Sequence, residues 1–141
     1  MILLNRCGLE QANAPSGTFR SVFQALQTNN CAECHTATGA AFVEDNVQLE
    51  FGDSASAYSG LTTKTVSGAS SVVSCGGISL VTPNDLSKSY FAAVLFADLG
   101  IPGFAGQGSC NPYPLHHTDT NLSSMHQESI KAWINNGAPN D

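Results

Sequence analysis

Basic residues are scarce in this chain. In 141 residues, 5 lysines and arginines stand against 11 aspartates and glutamates, a net charge of -6. A surface of that sign repels phosphate backbones and anionic headgroups, which argues against nucleic acid or an acidic membrane as partner and favours a basic or neutral protein. Charge of either sign is sparse, at 11% of residues, so Gly, Ser and Thr carry much of the polar surface, as suits a secreted protein. Long apolar runs are missing as well. None approaches the roughly 20 residues that a membrane-crossing helix needs, and Met1-Ile2-Leu3-Leu4 is too short even for a signal-peptide core. No internal repeat is present, and the length suits one domain with a modest core rather than two.

Methionine is nearly absent too, with Met125 the only one beyond Met1. Against these shortages the run Cys31-Ala32-Glu33-Cys34-His35 stands out. Two thiols three positions apart, followed at once by a histidine, form the attachment sequence for c-type haem. About one helical turn separates the cysteines, so both sulfurs reach one porphyrin edge as thioethers while His35 ligates the iron as proximal ligand. Two other uses of such a pair fit less well. A redox dithiol belongs after a strand in a βαβ pattern, and a structural zinc site needs a second ligand pair at similar spacing; neither follows here. One motif implies one haem. Three cysteines remain, Cys7, Cys75 and Cys110, leaving three possible pairings, of which Cys75 with Cys110 is the expected one. Cys7 follows Leu4-Asn5-Arg6 in the manner of a lipoprotein cleavage site, although Arg6 is a poor match to the small residue needed there, so a lipid anchor is the weaker reading.

Residues 1–17 read as an N-terminal tail ending in the turn Asn13-Ala14-Pro15-Ser16-Gly17, and residues 18–141 as the domain. Phe19, Val22, Phe23 and Leu26 follow helical spacing, with Thr18 as N-cap and an end near Asn29-Asn30 that delivers the chain to Cys31. Val47, Leu49 and Phe51 alternate with polar residues, as expected of a short strand or of side chains lying against the haem edge. Asp53 is expected to cap a short helix through Leu61, and Thr62 to Gly77 reads as a surface loop. A second strong helix is expected from Pro83-Asn84-Asp85, carrying Leu86, Tyr90, Phe91, Val94 and Leu95 and stopping before Gly100 and Pro102. Gly103 to Asn121 is an irregular Gly/Pro loop. The last helix opens at Leu122-Ser123-Ser124, where Ser124 and Gln127 have the spacing of a capping box, carries Ile130, Trp133 and Ile134, and closes at Asn136-Gly137. The fold expected is all-α, three main helices plus a short one and long loops, with no convincing sheet.

An amphipathic helix leading into the haem motif, the segment from Leu80 to Tyr90, and the ending Ile130-Lys131-Ala132-Trp133-Ile134-Asn135-Asn136-Gly137-Ala138 together resemble the class I monohaem cytochrome c domains, especially a bacterial extracytoplasmic branch. The resemblance implies that fold, with the terminal helix bearing Trp133 packed across the first. It also implies export, to a periplasmic or extracellular location, and hence a trimmed or truncated precursor. Relatives of this branch place a Met-Pro pair shortly after a cysteine as the second iron ligand. Here that stretch reads Cys110-Asn111-Pro112-Tyr113-Pro114-Leu115-His116-His117 and holds no methionine. The expected distal ligand is therefore His117, with His116 next; Met125, His126, an open or water-ligated iron, and a ligand from a neighbouring subunit are the alternatives.

Ligand identity sets the function expected. Two imidazoles give a lower potential than His/Met and leave no vacancy on the iron, as in an electron carrier rather than an enzyme. Phe19, Phe23, Leu95 and Trp133 are the side chains expected to keep water from the haem. Partners would be redox proteins, with a homo-oligomer or multi-cytochrome assembly as one version. The rival function is a haem enzyme or gas sensor with an open distal site, and a docking module for an oxidoreductase is the third.

Overall fold

A computed structural model describes residues 15–43, 49–66, 75–96 and 122–141. Among them the chain is helical, with a single isolated β-bridge between Thr65 and Ser79 and no extended strand. In order come α1 (Phe19–Thr28), α2 (Cys31–Cys34), α3 (Ala40–Val43), α4 (Ser54–Thr63), a 3₁₀ turn (Leu86–Lys88), α5 (Tyr90–Phe96) and α6 (Ser124–Asn135). No helix among the described residues is long and apolar enough to cross a membrane.

Helix α1 forms where the apolar spacing places it. Thr18 Oγ1 accepts the Ser21 amide at 3.3 Å, and Phe19, Val22, Ala25 and Leu26 form its buried stripe. That stripe meets α6, where Ile130, Trp133 and Ile134 are fully buried. Phe19 sits at the crossing, its ring 5.3 Å from Trp133 and 5.1 Å from Tyr58 of α4, the latter edge-on. Aromatic pairs at such separations add to the stabilisation from area buried.

The polar ends of these rings are satisfied by the C-terminal segment. Trp133 Nε1 donates to the Pro139 carbonyl at 2.8 Å, and the Tyr58 hydroxyl donates to the Ala138 carbonyl at 3.1 Å. Asp141 then accepts the first amides of α1, Phe19 N at Oδ1 (2.9 Å) and Arg20 N at its backbone oxygen (3.3 Å). A carboxylate there also complements the positive end of the helix.

Helix α6 opens one residue earlier than its capping-box spacing suggests. Ser123, not Ser124, is the N-cap, its Oγ accepting the His126 amide at 3.2 Å, while Gln127 Nε2 reaches back to the Leu122 carbonyl at 2.8 Å. Adjacent serines carry the same local signal, and Ser123 is the one in the cap, next to the buried Leu122. At the other end, Gly137 (φ 91°) donates to Ile134 O at 3.1 Å and Ala138 to Trp133 O at 2.9 Å, a Schellman closure requiring a left-handed residue.

The other differences from the expected elements have identifiable causes. Helix α4, capped by Asp53 Oδ1 on the Ser56 amide at 2.9 Å, runs to Thr63 and matches α1 in length, so it is a main helix rather than a short one. The Ser56 amide in turn holds the Asp53 carboxyl below its ordinary range. The helix expected from Pro83 becomes α only at Tyr90. Asn84 is left-handed (φ 62°) and donates its amide to Ile134 O at 2.9 Å, so the chain there closes the end of α6 instead of starting a helix. Asp85 then caps the 3₁₀ turn, and the fully buried Ser89 ties it down, its hydroxyl accepting Thr82 N (2.9 Å) and donating to Asp85 O (2.8 Å). The two described ends of the Thr62–Gly77 stretch are not simple surface loop either. Thr62 and Thr63 belong to α4, Val66 N donates to Ile78 O at 2.8 Å, and Cys75 is fully buried and disulfide-bonded. With Cys31 and Cys34 free, the partner of Cys75 lies outside the described residues, as does the expected Cys75–Cys110 pairing.

Trp133→Ala removes the largest buried side chain and is expected to cost about 3–5 kcal/mol. Gly137→Ala forces a Cβ into the left-handed region and costs about 1–2 kcal/mol. Denaturant unfolding of the two variants tests both, and a Trp133→Ala protein as stable as the parent would refute the α1–α6 crossing as the centre of the core.

Candidate functional site

The motif is placed by the end of α1. Asn29 closes that helix twice over, its backbone amide and its side-chain amide both donating to Ala25 O, at 3.1 and 2.8 Å. Asn30 is left-handed (φ 56°) and turns the chain sharply, its carbonyl accepting the Glu33 amide at 3.0 Å. α2 therefore begins at Cys31, and its single turn ends at Cys34 with His35 as C-cap, whose amide donates to Cys31 O at 3.0 Å. Residues i and i+3 of one turn share a face, so the two thiols lie on the same side of α2.

Both thiols are free, but their settings differ. Cys31 is half-buried against the core and Cys34 is exposed. Burial pushes the Cys31 thiol above its ordinary range, and the neighbouring Cys34 adds to the shift. Just beyond, the chain turns back so closely that a Cβ at Gly39 would collide with the Cys34 carbonyl. That approach holds the C-terminal side of the motif.

His35 is half-buried, and its Nδ1 atom is fully so. Its ring packs against Phe51, with centroids 5.0 Å apart and planes 46° apart. The Phe51 amide donates to the His35 carbonyl at 2.7 Å, and the Phe51 carbonyl accepts Gln27 Nε2 from the last turn of α1, also at 2.7 Å. Leu49 and Phe51 are thus both buried, without forming a strand. Phe51 is visible in the sequence as an apolar residue in an alternating run. Gln27 is not, because a glutamine on the exposed side of a helix carries no local sign of its long-range partner.

The structure thus brings Cys31, Cys34 and His35 onto one turn and its cap. His116, His117, Tyr113, Cys110 and Cys7 lie outside the described residues. Met125 sits in the first regular turn of α6, 57% exposed, and His126 follows it half-buried. Phe19 and Trp133 are buried in the core, with Phe23 and Leu95 partly buried at its margin. Among the described residues no three His, Cys, Asp or Glu side chains are grouped to hold a metal ion by themselves. What the motif offers is two sulfur nucleophiles on one face and one imidazole beside them. The chain matches no protein-family model, no curated protein and no solved structure.

With both thiols free, Cys34 is expected to alkylate several-fold faster than Cys31, because Cys34 is exposed whereas burial disfavours the reactive thiolate at Cys31. Peptide mapping after brief iodoacetamide treatment reads the order. A raised thiol pKa in the folded state favours the neutral form, so its stabilisation is full below the ordinary thiol range and is lost as pH rises through the raised value. Stability relative to Cys31→Ala should therefore fall with alkaline pH, and a difference flat with pH would contradict the burial of Cys31.

Proposed function

We propose that this chain is an electron carrier built on one covalently attached c-type haem, with Cys31 and Cys34 forming the thioethers and His35 the proximal ligand. The single turn of α2 carries this reading: two free thiols three residues apart, with an imidazole at the C-cap. The residues fit the group. Sulfurs on one helical face reach one edge of a planar ring, and the His35 imidazole stands beside them at the C-cap with its Nδ1 buried. When bound, the haem supplies a one-electron iron couple.

The chain's part is to attach, ligate and exclude water. Apolar side chains at the core margin, Phe23 and Leu95 among them, limit solvent access, which lowers reorganisation on electron transfer. His117, with His116 beside it, is the proposed distal ligand, and two imidazoles place the potential below that of a His/Met pair. The same reading puts the protein in a periplasmic or extracellular compartment, meeting basic or neutral redox partners or other copies of itself in a larger conducting assembly.

Export through a c-type maturation pathway should yield one haem per chain that survives denaturation and acid extraction. Cys31→Ala and Cys34→Ala should each leave one thioether, and an exported parent chain without covalent haem would overturn the proposal. Low-temperature EPR with near-infrared magnetic circular dichroism should show bis-histidine iron, lost in His117→Ala or in His116→Ala. A His/Met signature refutes the distal assignment, and rapid, complete carbon monoxide binding at neutral pH refutes a closed electron-carrier site.

A further inference from the structure

We propose that Phe51 and Gln27 are positioning residues for His35, holding the imidazole in one orientation through a relay from α1. The inference rests on the haem reading for its consequence but not for its geometry. Phe51 is 3% exposed, and its ring lies against the His35 ring at 5.0 Å, so rotation of the imidazole meets a packed wall. Phe51 is itself held from both sides of its backbone. Its amide donates to His35 O and its carbonyl accepts Gln27 Nε2, each at 2.7 Å, so the residue cannot pivot without losing two short hydrogen bonds.

The relay has a rigid origin. Gln27 stands in the last turn of α1, next to Leu26, which is buried in the core. On the other side, the His35 amide is bound to Cys31 O at 3.0 Å, which fixes the main chain from which the ring projects. The imidazole is thus referenced to α2 through its backbone and to α1 through Phe51 and Gln27. Residues around a ligating histidine that fix its ring tune the metal it binds. A ring free to rotate samples several orientations about its bond to iron, whereas a wedged ring holds one, and that difference appears in the spread of the iron's magnetic axes and in its reduction potential.

The test uses the full haem-loaded chain with Phe51→Leu, Phe51→Tyr, Gln27→Ala and Gln27→Glu. Phe51→Leu should broaden the low-spin EPR signals and shift the reduction potential. Gln27→Ala should shift both in the same direction by less, Gln27→Glu should behave like Gln27→Ala because a carboxylate cannot donate, and Phe51→Tyr should restore parental values. Gln27 is exposed, so its variants report even where Phe51→Leu fails to fold. If the Gln27 variants lose stability while EPR and potential stay parental, the contact is structural only and the proposal fails. In the haem-free chain, nuclear Overhauser contacts between the His35 and Phe51 rings should weaken in Gln27→Ala. That readout stands even if no haem attaches, an outcome that would instead sink the proposed function.

Discussion

The contact of Phe19 with Trp133 is the one on which the rest of the structure depends. It locks the first helix against the last across the whole described sequence, with the Phe19 ring 5.3 Å from the indole and Tyr58 closing the third side at 5.1 Å. The consequence reaches beyond the core. α1 is also the helix whose far end turns through Asn29 and Asn30 into the Cys31–Cys34 turn, so the aromatic crossing sets where the motif stands. Close packing transmits such constraints because there is little free volume to absorb a shift.

Around that crossing, polar groups connect elements more than they decorate the surface. Asn84 closes α6 from outside, Ser89 fastens the turn that leads to α5, and Asp141 covers the start of α1. Lys131 stacks 5.5 Å over the Phe96 ring and so links α6 to α5, while also pairing with Glu128. The pairs Lys131–Glu128 and Lys88–Asp85 are solvent-exposed i, i+3 contacts worth little in themselves. Among the described residues, hydroxyl and backbone hydrogen bonds such as those of Ser89 and Asn84 join one element to the next.

The same arrangement connects the core to the candidate site. Gln27 and Phe51 link the end of α1 to His35, and Gly39 lets the chain pass close under Cys34. The His35 ring packs against a phenyl ring whose backbone carbonyl is held by a glutamine, and neither residue belongs to the Cys31–His35 run.

Much of this was legible from residue order. The apolar spacing from Phe19 to Leu26, the stripe Ile130, Trp133 and Ile134, the Thr18 and Asp53 caps and the Gly137 stop are local signals, and each appears where expected. The two thiols and the imidazole between Cys31 and His35 are likewise grouped by their spacing, on one helical turn and its cap. Other features depended on how the folded chain engages particular groups. Ser123 rather than Ser124 caps α6 beside the buried Leu122, and α5 waits until Tyr90 because Asn84 and Ser89 are engaged elsewhere. Gln27 acquires a role only when Phe51 is brought beside it. Sequence by itself determined the helical stripes and the grouping of Cys31, Cys34 and His35, because periodicity and spacing are properties of neighbouring residues. Tertiary structure alone decided what surrounds His35, because the ring packs against a residue 16 positions after it, which is in turn bonded to one 8 positions before it, and only the folded chain makes the three adjacent.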